Sequence, residues 1–326
     1  ATGVETVTNT LNTDTRRGDA GLNVVKYVSG TKTPVENVEF TLYEQDMKTV
    51  RAKKSTGSDG KVTFDGLAPA TGDSAVYYLQ ETKAPANYVM DKTVYKASLS
   101  LGTVTTKVES DKVVYIQNWK VTVGNDAGGA MNTDVSDGSA YAIYNEKAQG
   151  QLKIFKHFSG DIHDTDLTPE QKKAITFNIS GPAEYTGPSS ITYDNFTGGI
   201  YTIDNVPLGK YNITETGADI VGYTHSVTYT VGTVDSDTEA VVVISKNNDS
   251  LTADITNIYT RETTSISGTK TWVDGNNQDG IRPGSVTIKL QKKVGSAGWT
   301  DVKDSKGDAV TTTASEASNW KYSFTD

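Results

Sequence analysis

One short pattern occurs three times along the chain and limits what the chain can fold into. It reads Leu22-Asn23-Val24-Val25-Lys26, then Leu152-Lys153-Ile154-Phe155-Lys156, then Ile266-Ser267-Gly268-Thr269-Lys270. Each copy follows a polar linker: Thr13 to Ala20, Glu146 to Gly150, and Arg261 to Thr264. A second pattern occurs twice, as Tyr77-Tyr78-Leu79-Gln80-Glu81-Thr82 and Tyr211-Asn212-Ile213-Thr214-Glu215-Thr216, each after a Gly/Pro turn. A third closes each unit, as Tyr141-Ala142-Ile143-Tyr144-Asn145 and Ala253-Asp254-Ile255-Thr256-Asn257. Recurrence of this kind marks tandem copies of one structural plan. The expected division is residues 1–18 as the closing strand of a preceding repeat plus a linker, then repeats at 19–147 and 148–261. Residues 262–326 are expected to be the first part of a third repeat, because Tyr322 and Phe324 correspond to Val62 and Phe64 and no Glu or Asn strand follows. Glu5-Thr6-Val7-Thr8-Asn9 resembles the closing strand, which leaves Asn9 without a lysine, and Lys270 without an asparagine, in its own unit.

The fold class follows from periodicity. Val38, Phe40 and Leu42 alternate, as do Val286, Ile288 and Leu290, and Tyr201 and Ile203. Short alternating runs with frequent turn signals predict an all-β chain of tandem Ig-like sandwiches. One helical turn is expected after Thr168, with Pro169 at its first position and Gln171 completing a capping box. The 326-residue chain contains no cysteine, so disulfides and thiolate metal sites are excluded. Sandwiches with small cores must then be stabilised by other means.

The chemistry lies in strand parity, since residues two apart share a face. Leu22 and Val24 point with Lys26; Tyr77 and Leu79 with Glu81; Tyr141 and Ile143 with Asn145. The second repeat gives Leu152, Ile154 and Lys156; Tyr211, Ile213 and Glu215; Ala253, Ile255 and Asn257. Each apolar face thus carries one polar residue, and buried charges are rare unless paired. One reading is an ordinary buried ion pair beside a hydrogen-bonded asparagine. The other is a reaction. A lysine in an apolar core loses its charge readily, and the neutral amine is a nucleophile. A protonated glutamic acid could then polarise the asparagine carboxamide and move protons. The product is a Lys–Asn amide with loss of ammonia, made once by each domain on itself.

These residues resemble the Cna-B type domains of Gram-positive surface adhesins and the related domains of sortase-assembled pilins. The resemblance rests on Gly268-Thr269-Lys270-Thr271-Trp272, on Asp274-Gly-Asn-Asn-Gln-Asp-Gly with Arg282-Pro283, and on Glu81-Thr82-Lys83-Ala84-Pro85. It implies isopeptide bonds Lys26–Asn145 and Lys156–Asn257, with Glu81 and Glu215 as catalytic residues. The stretch from Thr93 to Gly138 is long for this family and offers Asn118 as a rival acceptor. Asn145 is the expected partner because it abuts the linker, as Asn257 does.

A formal net charge of -9 without a basic stripe excludes nucleic acid as a partner. No apolar run approaches the ~18 residues of a membrane span. Asp274, Asn276, Gln278 and Asp279 superficially resemble a calcium loop, but Asp279 and Ser285 stand where Gly and Glu are required, so a solvated turn is expected. No metal, cofactor or turnover enzyme is expected. The expected function is an extracellular stalk or pilus-shaft segment, cell-wall-anchored or pilus-associated. Its partners would be other pilin subunits or the cell wall through sortase. The alternatives are a module binding a host extracellular protein or glycan, centred on the long insert, and an accessory region of a secreted enzyme.

Overall fold

The computed structural model describes residues 12–110, 112–125, 128–129, 131 and 139–325. Asn9 and the strand expected around it lie outside the described residues. The chain is built almost entirely of strands, and its one α-helix among the described residues is Pro169–Ala174. That helix carries the expected capping box. The Thr168 amide donates to Gln171 Oε1 at 2.8 Å, and the Gln171 amide donates to Thr168 Oγ1 at 3.2 Å.

Compactness divides the chain into two units. One runs to His157 and adds Lys172–Gly217 and Thr228–Ile255; the other comprises Phe158–Gln171, Ala218–Val227 and the chain from Thr256.

The first repeat lies in the first unit and has two sheets. A six-stranded sheet runs in the order Asn12–Arg17, Lys112–Asn125, Val94–Glu109, Ser74–Lys83, Glu39–Tyr43, Val50–Ser55. A three-stranded sheet runs Lys61–Phe64, Leu22–Val28, Tyr141–Asn145, with the last two strands parallel. The inward residues of both sheets form one buried cluster. Leu22, Val24, Val28, Val62, Phe64 and Ile143 come from the smaller sheet, and Phe40, Leu42, Tyr77, Leu79, Ala97, Leu99 and Val123 from the larger. Burial of each large side chain is worth about 1.5–3 kcal/mol, and this apolar cluster is what holds the sheets face to face. On the other face of the smaller sheet Val25 sits beside its cross-strand partner Ala142 and packs with Ala140 in a second small buried cluster. Gly60 sits beside the lysine strand at φ +73°, and a Cβ there would fall 2.5 Å from the Lys26 carbonyl oxygen, so only glycine fits.

The long insert after Thr93 is a β-hairpin. Its inner half pairs with the glutamate strand, and past a register shift at Leu101/Val104 its outer half pairs only within itself and with Asn12–Arg17. The polar segment before Ala20 is therefore partly strand and not simply a linker. The outer hairpin strand offers an open row of backbone groups, and Asn12–Arg17 fills it in parallel register, Asn12 opposite Lys112 through Arg17 opposite Gln117. Arg16 binds Glu109 at 3.1 Å and Arg17 binds Asp73 at 2.7 Å. Similarly, Gln149 and Gly150 open the strand Gln149–Gly160 and do not form a linker.

In the second repeat a four-stranded sheet runs Ser190–Thr192, Thr176–Ser180, Gly209–Thr216, Ala240–Ile244. A five-stranded sheet runs Ile200–Pro207, Gln149–Gly160, Ser250–Arg261, Tyr223–Val231, Val234–Ser236. In the second unit, Ile266–Thr269 pairs antiparallel with Lys321–Phe324, Ile266 opposite Phe324 and Gly268 opposite Tyr322. The first repeat has the equivalent register, Leu22 opposite Phe64 and Val24 opposite Val62.

Candidate functional site

The two sheets of the first repeat deliver three polar side chains to one point. Lys26 and Asn145 stand on neighbouring parallel strands, where Lys26 is opposite Ile143 and Val28 is opposite Asn145. The two therefore share a face, two residues apart along the ladder. Glu81 arrives from the opposing sheet, opposite Phe40. Lys26 is 0% exposed, and Glu81 and Asn145 are each 1% exposed.

Glu81 bridges the other two. Its Oε2 lies 2.8 Å from Lys26 Nζ, and its Oε1 accepts from Asn145 Nδ2 at 2.7 Å. Lys26 Nζ also donates to the Tyr144 carbonyl at 3.2 Å and lies 5.7 Å from the centre of the Phe40 ring. The Asn145 side-chain oxygen has no hydrogen-bond partner among the described residues. Burial pushes the Lys26 pKa down from its ordinary value, against the opposing pull of Glu81 and Asp91. A lysine amine and an asparagine amide are thus held against the two oxygens of one carboxylate, out of water.

The second repeat repeats the pairing. Lys156 Nζ lies 2.7 Å from Glu215 Oε2, and both side chains are buried. Burial lowers the Lys156 pKa to about 8, with Glu215 opposing. The Glu215 backbone N–H donates to the Tyr229 hydroxyl at 2.9 Å, which fixes that strand. Asn257 lies in the second unit and is fully buried. Its Nδ2 is 3.4 Å from the Tyr259 hydroxyl, which donates to the Ala218 carbonyl at 2.6 Å.

Other candidates stand apart. Asn118 is on the larger sheet, and its amide binds the exposed Thr105 hydroxyl at 3.1 Å. It does not join the Lys26 cluster. Lys270 lies 4.3 Å from the centre of the Trp272 ring, with Arg282 on the same ring at 5.5 Å. The Asp274 carboxylate is occupied by Arg282 at 2.6 and 2.8 Å, which closes the loop as a turn. Each histidine meets one carboxylate: His157 with Asp254, His163 with Asp166 and His225 with Asp219. Among the described residues, no group of three or more metal-ligating side chains is gathered, and no helix is long and apolar enough to cross a membrane.

Sequence reasoning missed Asp91. It lies in the segment between the glutamate strand and the hairpin, and its charge acts on Lys26. The available signal was Asp91-Lys-Thr93, a spacing in which a carboxylate caps the backbone two residues on.

Comparison with known proteins agrees with this architecture. Residues 20–114 match the SpaA family, described as a prealbumin-like fold domain, and residues 266–326 match the Cna protein B-type domain. The two matched segments are thus similar to a prealbumin-like fold domain and to a Cna protein B-type domain, and they lie in the first and last of the repeats. It is 26% identical to the collagen adhesin of Staphylococcus aureus across 92% of its length, and it spans 28% of that relative. It superimposes on the Bacillus anthracis TIE protein with a TM-score of 0.50 at 16% identity, covering 94% of this chain and 43% of that one. The C-terminal fragment of pilus adhesin SpaC from Lactobacillus rhamnosus GG aligns with a TM-score of 0.40 at 16% identity, over 75% of this chain and 98% of the fragment.

Proposed function

We propose that this chain is a structural stalk or pilus-shaft segment of a Gram-positive cell-surface protein, stiffened by Lys26–Asn145 and Lys156–Asn257 crosslinks that it makes itself. The observation that carries the reading is Glu81, buried and touching both a lysine amine and an asparagine amide. In the reactive form the proton rests on Glu81 and the amine of Lys26 is neutral. The two ends of a carboxamide have nearly the same shape, so a half-turn presents the Asn145 oxygen to the acid. Lys26 Nζ then adds to Asn145 Cγ while Glu81 protonates the oxygen. A proton passes from Nζ to Nδ2, the Cγ–Nδ2 bond breaks, and ammonia leaves. Glu81 recovers its proton as the carbonyl reforms. The apolar surroundings favour the neutral amine of Lys26, and fixed strand geometry supplies the proximity.

The reaction occurs once per repeat, so the role is structural and not that of a turnover enzyme. The partners are other pilin subunits or the cell wall, joined through sortase, at an extracellular, wall-anchored or pilus-associated location. The relatedness to a collagen adhesin supports surface display. The test is the intact mass under denaturing conditions. The expected result is a deficit of two ammonia masses, removed by Asn145→Ala and Asn257→Ala together. An unmodified mass would reduce both clusters to buried ion pairs and end the reading.

A pH dependence follows. The reactive form, with neutral Lys156 and the proton on Glu215, holds the same single proton as the buried ion pair, and burial lowers the Lys156 pKa to about 8. The rate at which freshly made chain forms the second crosslink is therefore expected to be level below about pH 8 and to fall above it, as that proton is lost. With the lysine at its usual value of 10.5 the rate would stay level to about pH 10. Timed mass analysis across pH 6–10 checks this; a rate that climbs steadily from pH 8 to pH 10 would contradict it.

A further inference from the structure

Gln149–Gly160 and Ser250–Arg261 are neighbours in one sheet. Near one end the Gln151 amide donates to the Asp249 carbonyl at 2.7 Å, and just past the other the Asp161 amide donates to the Tyr259 carbonyl at 2.8 Å. Donor and acceptor are equally far apart in sequence in both bonds, so the strands run parallel in one unbroken register. That register sets Lys156 opposite Ile255, as Lys26 stands opposite Ile143. Asn257 and Tyr259 follow Ile255 in steps of two and therefore share its buried face. Tyr259 is 1% exposed. Its ring stacks with His225, the centroids 5.4 Å apart, and with Phe158 at 6.5 Å. Its hydroxyl donates to the Ala218 carbonyl at 2.6 Å and lies 3.4 Å from Asn257 Nδ2.

We propose that Tyr259 takes part in the Lys156–Asn257 reaction, its hydroxyl oxygen holding the amide nitrogen that leaves as ammonia. This role rests on the crosslink reading above. A tyrosine hydroxyl has a single proton, and here that proton lies on the short bond to Ala218. Toward Asn257 the oxygen therefore offers a lone pair, and the end of the carboxamide beside it is the nitrogen. The carbonyl oxygen, which must take up a proton during attack, is turned the other way. When Lys156 Nζ adds to Asn257 Cγ, a proton passes from Nζ to Nδ2, the Cγ–Nδ2 bond breaks and ammonia departs. No proton passes to or from Tyr259. In the starting amide Nδ2 is a neutral donor; once protonated it is a cationic one, and its bond to the hydroxyl oxygen tightens. An interaction that strengthens on the way to the transition state speeds the step. In the first repeat the residue two beyond Asn145 is Lys147, exposed and paired with Glu184 at 3.0 Å. Tyr259 lies outside that repeat, so the first crosslink serves as an internal clock for the second.

The experiment follows newly translated full-length chain by intact mass and peptide mapping at successive times, at about pH 6.5, where a tyrosine hydroxyl keeps its proton. Wild type is compared with Tyr259→Phe and with a chain carrying, at position 259 alone, a tyrosine fluorinated beside its hydroxyl. Tyr259→Phe is expected to slow the second crosslink on the order of tenfold relative to the first. Fluorine makes the hydroxyl a better donor and a poorer acceptor, so the fluorinated chain separates the two bonds. Its acceptance from Asn257 is weakened, and its second crosslink is expected to form more slowly than in wild type. A hydroxyl that merely tied the closing strand to Ala218 would be strengthened by fluorine, and the rate would hold or rise. A fluorinated chain as fast as wild type, or an unchanged ratio of the two rates in Tyr259→Phe, overturns the proposal. A wild-type chain that never forms the second crosslink is a distinct result, since it removes the reaction itself and the role of Tyr259 with it.

Discussion

Pulled from its two ends, the first repeat is expected to lengthen hardly at all, whereas its Asn145→Ala variant releases roughly 400 Å. About 120 residues separate Lys26 from Asn145, and extended chain spans about 3.4 Å per residue. The lysine strand enters the repeat and the asparagine strand leaves it, side by side and parallel. With the crosslink in place, tension passes from one strand to its neighbour through a covalent bond, and the rest of the sandwich is bypassed. Asn145→Ala keeps the Lys26–Glu81 ion pair, so the variant should still fold and its extension reports the crosslink alone. Single-molecule stretching decides the matter, and a wild-type repeat that releases the full length would refute the load path.

Glu81→Gln is expected to abolish the first crosslink and to destabilise the repeat more than any exposed substitution. Two effects add. A glutamine carries no acidic proton to give the Asn145 oxygen. It also leaves the Lys26 amine buried at 0% exposure without its carboxylate, a loss of about 3–5 kcal/mol for a broken buried pair. The missing closed loop costs about 4–5 kcal/mol more if its entropy follows that of disulfides. The double variant Lys26→Met with Glu81→Leu separates the two. It lacks the crosslink but also lacks buried charge, so it should regain most of the first loss and none of the second. Mass analysis with denaturant melts reads both quantities. A Glu81→Gln chain that still loses the ammonia of the first repeat would show that the glutamate is dispensable.

Much of this site was legible because a strand has a period of two. Parity alone put Lys26 with Leu22 and Val24, and Glu81 with Tyr77 and Leu79, and the buried cluster contains these apolar neighbours. Strand pairing was not legible in the same way. Asn118 and Asn145 both follow alternating apolar residues, and only the topology, with Tyr141–Asn145 beside Leu22–Val28, brings one of them to Lys26. Val25 looked outward by parity yet is buried, in a small cluster with Ala140 and Ala142 on the second face of the sheet. Asn12–Arg17 read as linker because its residues are polar; its pairing comes from a backbone edge that lies about 100 residues downstream and leaves no mark in its own composition. Asp91 escaped for a related reason: a segment that crosses the end of a sandwich has no periodicity to reveal what it faces.

The juxtaposition of Lys26 and Asn145 has a consequence for survival among proteases. Once the two are joined, everything between them is a closed ring, and so is the chain between Lys156 and Asn257 once that pair is joined. The outer half of the hairpin, with Val104 and Val108 more than half exposed, belongs to the first ring. A single cut there opens the ring but severs nothing, since the polymer still runs on through the side-chain amide. Only the stretches outside the rings, residues 1 to 25, 146 to 155 and 258 to 326, remain places where one cut parts the molecule.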